Sequence, residues 1–314
     1  MEKQILHITN GGNLSSRLKE LEIPGAQFTW QEMFCEGRTT EHIISDESVK
    51  LRSEFLSDFY DIDLDLSKVE QALEQLNEAK NRYSEIVLWF DYHLYCHINM
   101  VAVISLIHQK KIKLPMSLVC SGRTPGSKNL STFSELNGSQ LQSHYKNKVY
   151  LNDADIDMAT TVWGIYCGKD HNLLKPIIVK PSNFKYLSNC LKAHLERFPD
   201  SINGLNILER NILKIVKDYN IKSKNHLLGY ALNYQGYYGY NDLQLSRTIN
   251  KLSLFLTEEK SSITLNRDGH EALLGGHNFS SQIDSNMYFG GIKKYDFYFS
   301  KSENKLIKTI SDAN

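Results

Sequence analysis

Across 314 residues, Lys+Arg and Asp+Glu balance at 36 each, so a global basic field for coating nucleic acid is excluded and only local patches remain. Five scattered cysteines, never in a CxxC pair, argue against both a disulfide framework and a zinc ribbon. The 41% hydrophobic and 23% charged fractions describe a soluble globular protein, and the length exceeds what one core usually takes.

The first half alternates strand and helix patterns. "QILHIT" (4–9) is a short apolar strand, broken by "NGGN" before a helix near Leu14, and "AQFTW" (26–30) is a second strand. Two helices follow at 47–60 and 66–83, the latter with Val69, Leu73 and Leu76 at helical spacing. "EIVLWF" (85–90) is the most hydrophobic strand and is expected at the centre of the sheet. A buried helix over 97–111 leads to a fourth strand at 114–122. The alternation predicts a mostly parallel sheet in a Rossmann-like three-layer sandwich over residues 1–137.

Helices then dominate a connecting region, 138–202, with segments at 138–147, 153–167 and 183–198. "ERFPDSINGLN" (196–206) is the best linker candidate. Helices at 207–219, 224–235 and 241–253 precede a hairpin and a short helix, the outline of a winged helix within an α+β unit, 203–314. A closing hairpin is expected to turn near 302–304. The opening stretch lacks the charged-then-apolar pattern of a leader, and no run approaches the roughly 20 apolar residues of a bilayer span. A cytoplasmic location without membrane partners is therefore expected.

Three polar clusters fall at the carboxyl ends of the predicted strands, where ligands gather in open α/β sheets. The first is Asn10-Gly11-Gly12, whose glycines allow close backbone approach to an anion or make a plain turn; His7, inside the strand, is either a core histidine or a ligand contact. Neither GxGxxG nor GxxxxGK[ST] occurs. The second cluster holds Trp30, Glu32, Cys35 and Glu36, with Arg52 on the next helix as a clamp for an anion or a partner for either glutamate. Nothing flanking Cys35 marks it as a nucleophile. The third is "FDYHLYCHIN", where Asp91 is a helix cap or a base and His93 and His97 share a helical face. The glutamate of HExxH is missing between these histidines, so no metal site is expected. Asn99 closes the cluster.

A small anionic or nucleotide-like ligand is thus expected, held by His7, Asn10, Gly11, Trp30, Glu36, Arg52 and Asn99. Glu32, Asp91 and His93 are the candidate catalytic groups for hydrolysis or group transfer, and no cofactor is specified. The competing expectation is a regulator that reads DNA with Arg247, Asn250 and Lys251 while the sheet senses a ligand; residues 203–274 carry nine Lys+Arg against seven Asp+Glu, a thin surplus for phosphate binding. A third is a non-catalytic scaffold. Oligomeric state is not specified.

"LHITNGG" (6–12), Trp30 with Glu32 and Cys35-Glu36-Gly37, and "LWFD" (88–91) with Leu94, Tyr95 and Asn99 together resemble a bacterial family, domain of unknown function 1835. The stretches "GLNILERNILKIV" and "FGGIKKYDFYFSKSENKLIKT" resemble its winged-helix-like C-terminal region, so the resemblance covers most of the chain. In that family Gly-Asp often stands at the positions of Gly11-Gly12, and an acid at the position of His93. Both exchanges remove a carboxylate from the expected rim.

Overall fold

The computed structural model describes residues 4–309, and residues 66–73 by their backbone alone. The expectations for Val69 and Leu73, and those touching residues 1–3 and 310–314, lie outside the described side chains and residues.

The chain opens with β1 (Gln4–Asn10), α1 (Gly12–Glu20), β2 (Ala26–Trp30), β3 (Gly37–Arg38), α2 (Asp46–Tyr60), α3 (Leu66–Arg82), β4 (Tyr83–Phe90), α4 (Leu94–Gln109) and β5 (Met116–Cys120). A second stretch carries β6 (Gly122–Arg123), β7 (Leu130–Ser131), α5 (Gly138–Lys146), β8 (Val149–Tyr150), α6 (Asp153–Cys167), α7 (Lys175–Ile178) and α8 (Leu187–Glu196). The protein is mixed α/β around a five-stranded sheet of order β2-β1-β4-β5-β8, parallel except for β8. β4 lies in the middle, as its apolar run requires.

Alternate residues of β4 point to opposite faces, and each face has its own helices. Val87 and Trp89 pack with Leu14 and Leu18 of α1, Leu141 of α5 and Phe133. Ile86, Leu88 and Phe90 face the opposite side and join the larger core with α4. Thirteen of the sixteen residues of α4 are buried, so it is apolar nearly all round and has neighbours on every side. Each fully buried Leu, Ile or Val there contributes roughly 1.5–3 kcal/mol relative to exposure.

Beyond residue 203 come α9 (Ile207–Asp218), α10 (Lys224–Tyr234), α11 (Asp242–Lys251), the hairpin β9 (Leu256–Glu259) and β10 (Ser262–Leu265), then α12 (Arg267–Leu274) and α13 (Ser280–Ile283). The helix starts are written in the sequence: Asn206 with Glu209 and Asn241 with Gln244 form capping boxes, as do Asn137 with Gln140 and Asn152 with Asp155. The closing segment supplies β11 (Tyr288–Gly290), β12 (Ile292–Lys293) and the hairpin β13 (Phe297–Ser300) to β14 (Lys305–Lys308). β11 pairs in parallel with β3, joining the C-terminal region to the loop that follows β2. One apolar cluster accordingly runs from Leu6 to Leu306. No helix among the described residues is long and apolar enough to cross a membrane.

Candidate functional site

The loop over 31–36 leaves β2 beside α4, and Asn99 fixes it there. The Asn99 amide nitrogen donates to the Glu32 carbonyl (2.6 Å) and to Asn10 Oδ1 (3.0 Å), while its oxygen accepts from the Phe34 amide (3.2 Å). Tyr95 donates to the same Glu32 carbonyl at 3.2 Å. Asn99 is fully buried and both ends of its amide are used, so it positions the loop from within. Asn10 shares this framing role.

Arg52 reaches the loop from α2. Its terminal nitrogens donate to the carbonyls of Glu36 (2.6 Å) and Met33 (3.1 Å), and its guanidinium lies over the rings of Phe34 and Phe55. Its Nε has no hydrogen-bond partner among the described residues, and the nearest Glu32 carboxylate oxygen stands 3.7 Å away. The Trp30 indole N–H is likewise buried without a partner. Trp30, Glu32 and Arg52 all line a cavity of about 550 Å³ between β2, α2, α3 and α4. Its other walls are mostly apolar, among them Phe28, Met33, Ile43, Leu76 and Leu106, and Asp63 and Asp65 also border it.

Glu36 turns away from this cavity. Its carboxylate accepts from Arg247 of α11 (2.8 Å) and from Tyr60, and Arg247 also donates to the Tyr60 oxygen at 3.1 Å. Burial alone would raise the Glu36 carboxyl, but the Arg247 guanidinium and the Tyr60 hydroxyl outweigh it and hold the group below its ordinary value. Cys35 is fully buried, and burial pushes its thiol up to about 12, a poor nucleophile at neutral pH.

At the end of β4, Asp91 accepts from the Phe133 amide at 2.7 Å and leaves the cap position of α4 to His93. The first amides of α4 are satisfied from afar instead: Leu94 donates to the Tyr237 carbonyl (2.7 Å) and Tyr95 to that of Tyr238 (3.1 Å). The glycine- and tyrosine-rich turn before α11 therefore lies over the helix end. Burial pushes the His93 imidazole down. His7 is spent in the core, bonded through Nε2 to the Pro24 carbonyl (3.1 Å) and accepting at Nδ1 from Trp89 (3.1 Å). Gly11, at φ 103°, precedes α1 with no side chain capping it. Of the expected ligand set, Trp30, Glu32 and Arg52 share the cavity; His7, Asn10, Gly11, Glu36, Asp91, His93 and Asn99 are not on its wall.

The expected DNA contacts face inward or sit singly. Arg247 is held by Glu36, and Lys251 donates to the Tyr295 hydroxyl (2.5 Å) near Glu209, which already binds Lys294 (2.6 Å). Burial, with Lys294 close by, pulls the Lys251 ammonium down to about 7. Asn250 alone of the three is exposed.

A second buried network was not read from the sequence. Arg197 donates to the Cys35 carbonyl, to the Tyr166 hydroxyl (3.2 Å) and to His194 Nδ1 (2.7 Å), and His194 bonds His171 Nδ1 at 2.8 Å. Arg197 thus adds a second arginine to the loop after β2, at the Cys35 carbonyl. The available signal was an arginine three residues after a histidine in a mostly apolar helix. No protein-family model matches the chain, and no curated protein matches it.

Proposed function

We propose that the protein binds a small heteroaromatic ligand, of the size and polarity of a nucleobase or nucleoside, in the cavity beside β2. The observation that carries this reading is the pairing of two buried N–H donors without a hydrogen-bond partner among the described residues, Trp30 Nε1 and Arg52 Nε, on residues lining one mostly apolar cavity of about 550 Å³. Small-molecule pockets commonly hold about 300–1,000 Å³, with a few polar groups in an apolar wall. Unmade buried donors are costly, and a ligand carbonyl or ring nitrogen would satisfy them. Glu32 supplies an acceptor on the same wall, so a group with adjacent donor and acceptor atoms fits best.

The expected anionic ligand is less well supported than a neutral one. Among the described residues, Glu32 and Asp63 border the cavity beside Arg52, which already serves two carbonyls. A phosphate would meet these carboxylates. In this reading Glu32 is the group placed to take a proton from the ligand, and Asp91, off the cavity wall, takes no part in binding it. The parallel sheet is Rossmann-like, and α9 to α12 with the β9–β10 hairpin form a winged-helix-like unit. That unit holds the loop after β2 through Arg247 and the start of α4 through the 237–238 carbonyls; no observation favours duplex binding. Membership of the domain of unknown function 1835 family is part of the same proposal and rests on the N-terminal and C-terminal motifs.

Thermal shift across a panel of nucleobases, nucleosides and their monophosphates tests the reading. A gain with a base or nucleoside, larger than with its monophosphate and lost in Trp30→Phe, is expected. Stabilisation by monophosphates alone, or a gain indifferent to Trp30→Phe, contradicts it.

A further inference from the structure

Asp91, His93 and Cys96 bring one ligand-type atom each within 4.8 Å of one another. They stand where β4, the middle strand, hands over to α4, in the spacing D-x-H-x-x-C. The sequence invites pairing of His93 with His97, but His97 turns its Nδ1 to the His93 carbonyl (3.2 Å) and is not part of the cluster.

The surroundings of the three atoms suit metal ligands. The Phe133 amide fixes Asp91 through one carboxylate oxygen. Asn10 Nδ2 donates to Cys96 Sγ at 3.0 Å. Such outer donors orient anionic ligands and tune their basicity. His93 Nδ1 is buried with no hydrogen-bond partner among the described residues. The imidazole is also held in place: Gly239 has φ +66°, and a Cβ there would come within 2.1 Å of the His93 ring, so only glycine lets the turn lie against it.

The geometry points to a divalent transition-metal site built from Asp91, His93 and Cys96, with Zn²⁺ the ion its mixed oxygen, nitrogen and sulfur donors match. Coordination exchanges the Cys96 thiol proton, released to solvent, for a metal–sulfur bond, with no change of oxidation state. Three protein donors leave a fourth position for water, the arrangement of catalytic rather than structural zinc. The site is separate from the cavity beside β2, since none of its three residues is on that wall, and it stands independently of the ligand proposed there.

Calorimetric titration of the chelator-treated full chain with Zn²⁺, and absorption spectra with Co²⁺, test the site. One equivalent of Zn²⁺ and a thiolate-to-cobalt charge-transfer band are expected. Cys96→Ser should abolish the band, and His93→Gln should weaken Zn²⁺ binding more than Asn10→Ala, for which loss of an outer partner predicts about a 10- to 100-fold decrease. Cys120→Ser, at the end of the neighbouring strand, should change neither. Failure of natively folded wild-type protein to take up Zn²⁺ stoichiometrically overturns the site. So does a band that survives Cys96→Ser, or one that Cys120→Ser removes, in variants with native circular dichroism.

Discussion

In the proposed reading, Arg52 combines a structural and a recognition role in one side chain. Two of its nitrogens brace the carbonyls of Met33 and Glu36, and the Nε makes no hydrogen bond among the described residues, with the Glu32 carboxylate 3.7 Å away. Arg52→Lys cannot span both carbonyls with one ammonium, because the planar fork is lost. The variant is expected to lose roughly 2–3 kcal/mol in urea denaturation together with the ligand-induced thermal shift. Trp30→Phe separates the two roles in part, since it keeps an aromatic wall while removing the indole N–H and one ring; it should lose the shift at a cost of about 1 kcal/mol in stability. Equal ligand response in wild type and Trp30→Phe would show that the indole N–H is not used. Trp30, Glu32 and Arg52 were legible in the sequence because polar side chains after an apolar strand mark its carboxyl rim. Their separation from Asp91 was not legible, because nothing local states on which side of α4 each segment lies.

At the scale of elements, α11 is bound to the loop after β2 by a buried ion pair between distant parts of the chain. Glu36 is 3% and Arg247 24% exposed at the side chain, and their contact is 2.8 Å. Removing one partner leaves the other buried without its counter-charge, which typically costs about 3–5 kcal/mol. Glu36→Gln should therefore destabilise by about 3 kcal/mol by urea midpoint, whereas Arg247→Met with Glu36→Gln together should cost less than the two changes added. Strict additivity would deny the coupling. The helices α2, α6 and α9 were readable to within a residue or two, since caps and apolar periodicity are local. β3 was not: two residues, Gly37 and Arg38, carry no periodicity, and their partner β11 lies some 250 positions away, at Phe289 and Gly290. Arg247 was read as a DNA contact for the same reason, because its carboxylate is distant in sequence.

Across the whole molecule, the Arg197–His194–His171 relay ties α8 to α6 and to the loop after β2. His171 bonds the Tyr166 carbonyl through Nε2 (2.8 Å), so its Nδ1 accepts from His194, whose own Nδ1 accepts from Arg197. Neither imidazole can take a further proton without losing an acceptor. Burial is the main cause lowering His171 to about 4, and it holds His194 well below 6.5, with Arg197 adding to both shifts. The unfolded chain therefore binds protons below pH 6.5 that the folded one refuses. The stability these rings contribute is complete above that value and is lost progressively as pH falls below it, for His171 down to about 4, by up to about 1.4 kcal/mol per pH unit for each ring. Urea midpoints should fall between about pH 7 and pH 5, and His171→Gln, which cannot charge, should flatten the slope. A midpoint constant over that interval would contradict the relay's protonation states.

The parallel sheet with β4 at its centre followed from alternation and hydrophobicity, whereas the continuity of its core with the C-terminal elements came only from contacts between remote segments. These contacts brace the loop after β2 beside the cavity. The most direct measurement is mass spectrometry of small molecules released on denaturing natively purified protein. The account predicts a heteroaromatic compound without a phosphate, near one per chain from wild type and absent from both Trp30→Phe and Arg52→Lys. A phosphorylated or purely aliphatic compound, or the same compound retained undiminished by both variants, would contradict it.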